Sequence, residues 1–478
     1  MAMNWAQLLS PQRIQSDGTT EPQLPEDALP DEPPLRTEFQ RDADRIIFSP
    51  AFRRLKDKTQ VFPLPENDLI HSRLTHSIEV AVVGRSLGFA VGRDIPRRHR
   101  PEELAQLCPV GSPRRDGDSA RSWAQDCADI VAAACLAHDI GNPPFGHSGE
   151  DAIGGYFSAE ENKQQLYSHG LTEEQVCDLQ KFEGNAQGFR ILTRLQDEGN
   201  LGMRLTAATL ATFTKYPRQS LVNINADKVE TPPVHLKKHG FFQSEKAVFA
   251  AVAKEVGLIT VPGGGAPAFC RHPLAFLVEA ADDISYRILD LEDGLRLNLV
   301  PRQKGIEALC EIAKQTTRFR APGSDDSNEM VEYLRARAIK QLIIEVMRVF
   351  TEHESEILAG NYGRSLLDEV PSFQQLAQIR QLTETYCYSS RSVLEIELAG
   401  NQLIGSLLGE FIPAALQLPG QVRSKHAQKL LQLIAPMPKE ADAYTRVLRV
   451  TDYVASMTDS YAVSLYRRLK GIALPGAR

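Results

Sequence analysis

A chain of 478 residues that is 42% hydrophobic and 24% charged is globular by composition and long enough to bury a substantial core. Its net charge of −7 argues against a nucleic-acid coat protein, and no apolar run is long enough to cross a membrane. The seven cysteines are odd in number and form no Cys-x-x-Cys pair, which argues against both a disulfide framework and a structural zinc site. No charged-then-apolar leader opens the chain, so a reduced, cytoplasmic protein is expected. The basic clusters Arg97-Arg98-His99-Arg100 and Arg467-Arg468 read as solvated faces.

Taken in chain order, residues 1–35 read as an extended or disordered arm, rich in proline and acidic residues from about residue 11. From Asp42 onward helical periodicity dominates. The runs Ile78 to Leu87, Ala275 to Leu295 and Ala443 to Leu469 each predict amphipathic helices. Val331, Leu334, Ala338, Leu342, Val346 and Phe350 keep a three-to-four-residue spacing and predict one long helix. Loops are expected at 108–117, 261–267 and 322–328. The triple glycine Gly263-Gly264-Gly265 lacks the spacing of a phosphate-cradling loop and reads as a flexible connection. Strict alternation over a strand length is absent, so the expected fold is all-α: a core over residues 36–300 and a helical part over 301–478 packed on it.

Chemistry concentrates at His138-Asp139-Ile140-Gly141-Asn142-Pro143-Pro144-Phe145-Gly146-His147-Ser148-Gly149-Glu150. The apolar run Ile130 to Ala137 predicts a helix, and the prolines behind it cannot continue one, so that helix should end close to the His-Asp pair. Two metal-ligand types at a helix terminus, with another histidine and a glutamate in the turn beyond, suggest a catalytic metal site. Upstream, Arg73 and His76 are three residues apart and share one helical face. The other histidines, among them His239 and His272, read as surface or satisfied residues.

A site built from His76, His138 and Asp139 needs one more anionic ligand. Along Glu279 to Asp290, a spacing of four puts Asp282, Tyr286 and Asp290 on one stripe of an otherwise apolar helix, with Asp283 and Glu292 expected to form its solvent side. Polar groups on an inner face are costly unless something pairs with them. A mixed nitrogen–oxygen set suits Mg²⁺ or Mn²⁺, with Fe²⁺ or Ni²⁺ as alternatives, better than a closed zinc site.

The order His…His-Asp…Asp resembles the HD phosphohydrolase superfamily, and within it the deoxynucleoside triphosphate triphosphohydrolases, the dGTPase family. The narrower resemblance rests on several strings: Arg53 to Phe62, His71 to Ser77, His138 to Glu150, Phe182 to Gln187, Lys215-Tyr216-Pro217, Glu279 to Leu295 and Thr451 to Asp459. It implies an HD-domain helical core with helical elaborations, residues 301–478 completing a nucleotide pocket. It also implies hydrolysis of a dNTP to deoxynucleoside and inorganic triphosphate with one divalent ion per site. It carries over His76, His138, Asp139 and Asp282 as metal ligands; Asp282 is chosen over Asp283 because only it has Tyr at +4 and Asp at +8. His147 and Glu150 map onto the catalytic pair, Arg73 onto an α-phosphate contact, and Gln60, with Val61 beside it, onto the sugar side together with Tyr286 and Asp290. Lys215 and Tyr216 are candidates for the polyphosphate tail. The family commonly forms homo-oligomers, often hexamers, and some members bind single-stranded DNA. Neighbouring readings are another nucleotide phosphohydrolase on the same core, or a nucleotide- or DNA-binding module with weak catalysis.

Overall fold

The structure is a computed structural model that describes residues 2–20, 36–62, 70–100, 104, 120–195, 201–221, 237–261, 268–417, 424–434, 436 and 440–472. Among these the chain is all-α, with no strand and only isolated β-bridges. The expected loop at 108–117, most of 261–267, and residues 21–35 of the expected arm lie outside the described residues.

The helices that build the site and its supports are α1 (Trp5–Leu8), α2 (Glu38–Phe48), α3 (Arg73–Arg98), α4 (Ala120–Ala137), α5 (His147–Ser158), α6 (Gly184–Arg190), α7 (Ala207–Phe213), α8 (Pro273–Arg296), α9 (Asn328–Leu358), α10 (Arg391–Leu416), α11 (Ala443–Ala455) and α12 (Asp459–Leu469). Local sequence sets several boundaries. The Ser72 side chain accepts the Thr75 N–H, and the Thr75 hydroxyl oxygen accepts the Ser72 N–H. This reciprocal cap satisfies two otherwise orphaned donors, starts α3 at Arg73 and puts His76 in its first turn. Helix α4 ends at Ala137, directly before the His-Asp pair, as the Pro-Pro stop predicts. The long periodic run becomes α9, buried on Leu334, Ala338, Leu342, Val346 and Phe350. The run Ala443 to Leu469 is not one helix. It breaks at Ser456-Met457-Thr458, where Thr458 caps α12 by accepting the Tyr461 N–H.

Two apolar cores form. The larger joins α1, α2, α3, α4, α7, α8 and α9. The second joins residues 152–186 to Leu403, Leu407, Phe411, Val447, Leu448 and Val454 of the C-terminal helices. Burial therefore does not divide at residue 300: residues 306–393 share the first core, while α10 to α12 pack on α5 and its neighbours. The start of the chain departs from the expected arm. Trp5, Leu8 and Ile14 are buried, and Trp5 Nε1 donates to Glu354 Oε1 at 2.9 Å. Arg98 and His99, expected on a solvated face, bond the same Glu354 carboxylate. His272 is a satisfied core histidine: its Nδ1 accepts the Leu274 N–H to cap α8, and its Nε2–H donates to the Leu8 carbonyl. No helix among the described residues is long and apolar enough to cross a membrane.

Candidate metal centre and phosphate site

Three helices bring the chemistry together. His76 comes from the first turn of α3, His138 and Asp139 from the end of α4, and Asp282 from the middle of α8. His76 Nε2 and His138 Nε2 lie 3.2 and 3.3 Å from the same Asp282 Oδ1, and the two rings meet edge-on with centroids 5.4 Å apart. One ligand atom each from His76, His138 and Asp282 fall within 4.8 Å of one another. Asp139 stands at the rim of this trio. Its Oδ2 is 3.4 Å from His138 Nε2, while Oδ1 accepts from Arg73 Nη1 at 2.9 Å and from Asn142 Nδ2.

The donor set fits a divalent cation. His138 Nδ1–H donates to the Cys135 carbonyl at 2.7 Å, which leaves Nε2 as the ring's lone-pair atom. That lone pair faces a carboxylate oxygen, two acceptors turned toward each other in a buried place, an arrangement that calls for a proton or a metal between them. Asp139 Oδ2 is also buried without a hydrogen-bond partner. Burial by itself pushes Asp139 up, but the Arg73 guanidinium, joined by His138 and His76 when those rings carry a proton, outweighs it and holds the carboxyl down to about 2. Burial likewise raises Asp282, and the Lys215 ammonium at 2.6 Å from Oδ2, with His138, brings it well below the usual carboxylate range. Both acids are therefore ionised and available as ligands.

Beside this cluster, His147 opens α5 and Glu150 lies one turn on. His147 Nδ1 is 2.6 Å from Glu150 Oε2, and Glu150 Oε1 accepts the Gly184 N–H of α6 at 2.7 Å. Glu150 is buried while the His147 side chain is 82% exposed, so a fixed anion orients an imidazole that stays open to an incoming group. The hydrogen bond to Glu150 outweighs burial and raises the His147 pKa above its ordinary value.

Two glycines make this geometry accessible. A Cβ on Gly141 would sit 2.0 Å from the Gly184 carbonyl oxygen, so only glycine lets the His-Asp turn lie against α6. Gly146 has φ +58°, and a Cβ there would lie 2.7 Å from Arg73 Nη2. Arg73 thus rests on the turn that leads into His147, itself buried and with an Nε that has no partner.

The remaining expected residues fall around this centre unevenly. Lys215 is paired with Asp282 and is not a free tail cation, while the Tyr216 ring lies 5.3 Å from the Arg271 guanidinium, which itself forks onto Glu279. Gln60 Oε1 is buried without a partner, and Val61 packs at the edge of the first core. On α8, Tyr286 is half exposed and stacks on Tyr388 at 5.9 Å, and the Tyr388 hydroxyl donates to Asp290 Oδ2 at 2.6 Å. Burial pushes the Asp290 carboxyl well above its usual range.

The expected solvent side of α8 is corrected. Glu292 is fully buried between Arg296 and Arg335, and burial beside Glu279 and Asp282 pushes Asp283 up to about 7. Arg296, one turn on in α8, and Arg335, arriving from α9, offset the cost of burying an acidic residue on that face.

Sequence reasoning gave no role to Tyr388, Lys58, Lys238 or Asp459. Tyr388 belongs to a π-helical turn, Glu384–Tyr388, that carries no motif. Lys238 pairs with Glu183 at 2.9 Å, and Glu183, the residue that caps α6, uses its side chain there and on Asn185 rather than on the cap. The Thr451-Asp452-Tyr453 string acquires a structural role, since Asp452 takes two hydrogen bonds from Arg190 of α6 and one from Gln187.

With this geometry in view, residues 73–187 match the HD domain family and residues 371–468 match the phosphohydrolase-associated domain. A deoxyguanosinetriphosphate triphosphohydrolase-like protein of Synechocystis sp. is 41% identical over 476 residues, covering 99% of this chain and 100% of the relative. A protein of the same description from Listeria monocytogenes is 35% identical over 98% of this chain and 100% of its own. A deoxyguanosinetriphosphate triphosphohydrolase of Salmonella schwarzengrund is 28% identical over 91% of this chain and 94% of its own. Full-length identity at this level, with the HD domain falling on the helices that gather His76, His138 and Asp139, means that the chain belongs to the deoxyguanosinetriphosphate triphosphohydrolase-like family of HD-domain phosphohydrolases.

Proposed function

We propose that the chain hydrolyses deoxynucleoside triphosphates at the α-phosphorus, releasing deoxynucleoside and inorganic triphosphate. The observation that carries this reading is the facing pair His138 Nε2 and Asp282 Oδ1, 3.3 Å apart, beside an open histidine held by a buried glutamate. His76, His138, Asp139 and Asp282 would hold one divalent cation, Mg²⁺ or Mn²⁺. When bound, such an ion neutralises charge on a phosphate oxygen and lowers the pKa of water beside it.

The chain's own residues supply the rest. Arg73 presents a buried guanidinium whose fork suits phosphate oxygens, adding positive charge where the transition state gathers negative charge. His147, protonated and oriented through Nδ1 by Glu150, holds a proton on Nε2 for the departing 5′-oxygen, a poor leaving group at neutral pH. Lys215, through its ion pair with Asp282, keeps that carboxylate ionised. Tyr286, Asp290 and Gln60, with Val61 beside it, meet the sugar, where a 2′-hydroxyl would be refused.

The test is product analysis: purified protein with each of the four dNTPs and GTP, singly and mixed, with Mg²⁺ or Mn²⁺, resolved by chromatography. Inorganic triphosphate and deoxynucleoside in equal amounts are expected. Orthophosphate, or a nucleoside monophosphate, would overturn the reading.

A further inference from the structure

Asp459 is the first residue of α12 and is 1% exposed. Its carboxylate serves two loops at once. Oδ2 accepts the Thr59 N–H at 2.9 Å and also the Thr59 hydroxyl, while Oδ1 accepts the Phe145 N–H at 2.9 Å. Thr59 directly precedes Gln60, and Phe145 stands two residues before His147. The same junction is tied a second time by Lys58, whose buried Nζ donates to the carbonyls of Asn142 and of Ala455, the last residue of α11. The Lys58 carbonyl in turn accepts the Arg73 N–H at 3.2 Å. Segment 58–60, turn 142–146 and the α11–α12 junction are thus one hydrogen-bonded unit.

The turn needs such a hold. Phe145 has φ +62°, a conformation that residues with a side chain rarely adopt and that persists only where the surroundings impose it. Directly after it comes Gly146, on which Arg73 rests, and then His147. Releasing the Phe145 N–H would let the peptide rotate and carry His147 away from Glu150. A carboxylate at the first position of a helix is itself held by the N-terminal dipole, so Asp459 is a fixed anchor.

We propose that Asp459 is a positioning residue. It locks the turn that presents His147 and the loop that presents Gln60 into one geometry, so the phosphohydrolase-associated segment sets the rate of chemistry carried on the HD domain. The roles of His147 and Gln60 here rest on the reaction proposed above.

The experiment uses the full chain with Asp459→Asn, which keeps the shape but can accept on one side only. Ser460→Ala is the control, because the Ser460 hydroxyl reaches only Asp57 at 2.9 Å. Three quantities are read: kcat and KM for a dNTP with Mn²⁺, melting temperature with bound metal, and the pH profile of His147 carbethoxylation by diethyl pyrocarbonate, followed on its peptide by mass spectrometry. Asp459→Asn is expected to lower kcat by about 10²-fold, the size of effect a displacement near 1 Å produces. Melting temperature should fall only modestly, for the buried donor left unpaired, and stay well above the assay temperature, while the His147 midpoint should move down toward an ordinary histidine as its bond to Glu150 loosens. Ser460→Ala should match wild type in all three. A wild-type kcat and an unmoved His147 profile in Asp459→Asn would overturn the proposal, as would a rate loss that follows the melting temperature and vanishes on cooling. Should Asp459→Asn fail to fold, Asp459→Glu keeps both acceptor oxygens one methylene further out. A lowered kcat at an unchanged melting temperature then supports the proposal, and an unchanged kcat refutes it. The carbethoxylation profile needs no substrate, so failure of the wild type to release triphosphate would refute the reaction while still leaving Asp459 decided.

Discussion

His147 combines two properties that seldom meet: an exposed ring and a buried anionic partner. The partner raises its pKa, so the protonated form survives above the ordinary value of 6.5. A general acid must carry its proton, so kcat should hold through that pH and fall as pH rises through the raised pKa. Glu150→Gln removes the anion, and the falling limb of the kcat–pH profile should shift to lower pH; a limb that stayed in place would exclude His147 as the acid. His147→Ala should lower kcat by about 10²–10⁴-fold, with metal content measured by elemental analysis unchanged. The residue types behind these predictions were legible in the sequence, because an Asn-Pro-Pro stop after an apolar helix, followed by His and Glu three apart, constrains local geometry strongly. The Glu150 bond to Gly184 was not, since the two lie 34 residues apart and meet only once the chain has folded back on itself.

At the level of single elements, α8 does the most with its periodicity. Its fourfold spacing places Asp282 against His76 and His138, Tyr286 against Tyr388 and Asp290 under the Tyr388 hydroxyl. Tyr388→Phe deletes the donor to a buried carboxyl, a loss of roughly 1–3 kcal/mol in comparable cases. KM for a dNTP should rise about 5- to 100-fold with kcat less affected, and selectivity over the matching ribonucleotide should fall. An unchanged KM would remove Tyr388 from the sugar side. The sequence displayed the α8 stripe because spacing is a local property. It misjudged the opposite face because Glu292 is made comfortable by Arg335, which arrives from α9. The break between α11 and α12 was missed for a related reason: apolar periodicity continues across Ser456-Met457-Thr458, while the cap that divides it is a short-range hydrogen bond.

Across the whole molecule, the cluster of His76, His138 and Asp282 ties α3, α4 and α8 to one point. A cation bound there in the folded state alone should raise the melting temperature, by mass action contributing about 2.7 kcal/mol at a hundredfold excess over Kd. Titrating Mn²⁺ or Mg²⁺ into chelator-treated protein should therefore raise Tm, and His138→Ala should abolish most of the rise. An equal rise in the variant would place the stabilising ion elsewhere. The second core has a different consequence. Because α10 packs on α5 and is itself backed by α11 and α12, the C-terminal part braces the His147 turn and is not an appendage to a finished domain.

Helix periodicity, proline stops and paired acid–histidine spacings are written in residues within a few positions of one another, and from them the sequence alone determined the all-α class, the helix that ends just before His138 and the residue types of the ionisable cluster. The family resemblance chose Asp282 over Asp283. Tertiary structure alone decided which lone pairs face each other, that residues 2–20 join the core, that Lys215 pairs with Asp282, and that Asp459 reaches both Thr59 and Phe145. Those contacts join positions dozens to hundreds of residues apart. Their energies depend on burial and direction, and neither exists until the helices have packed.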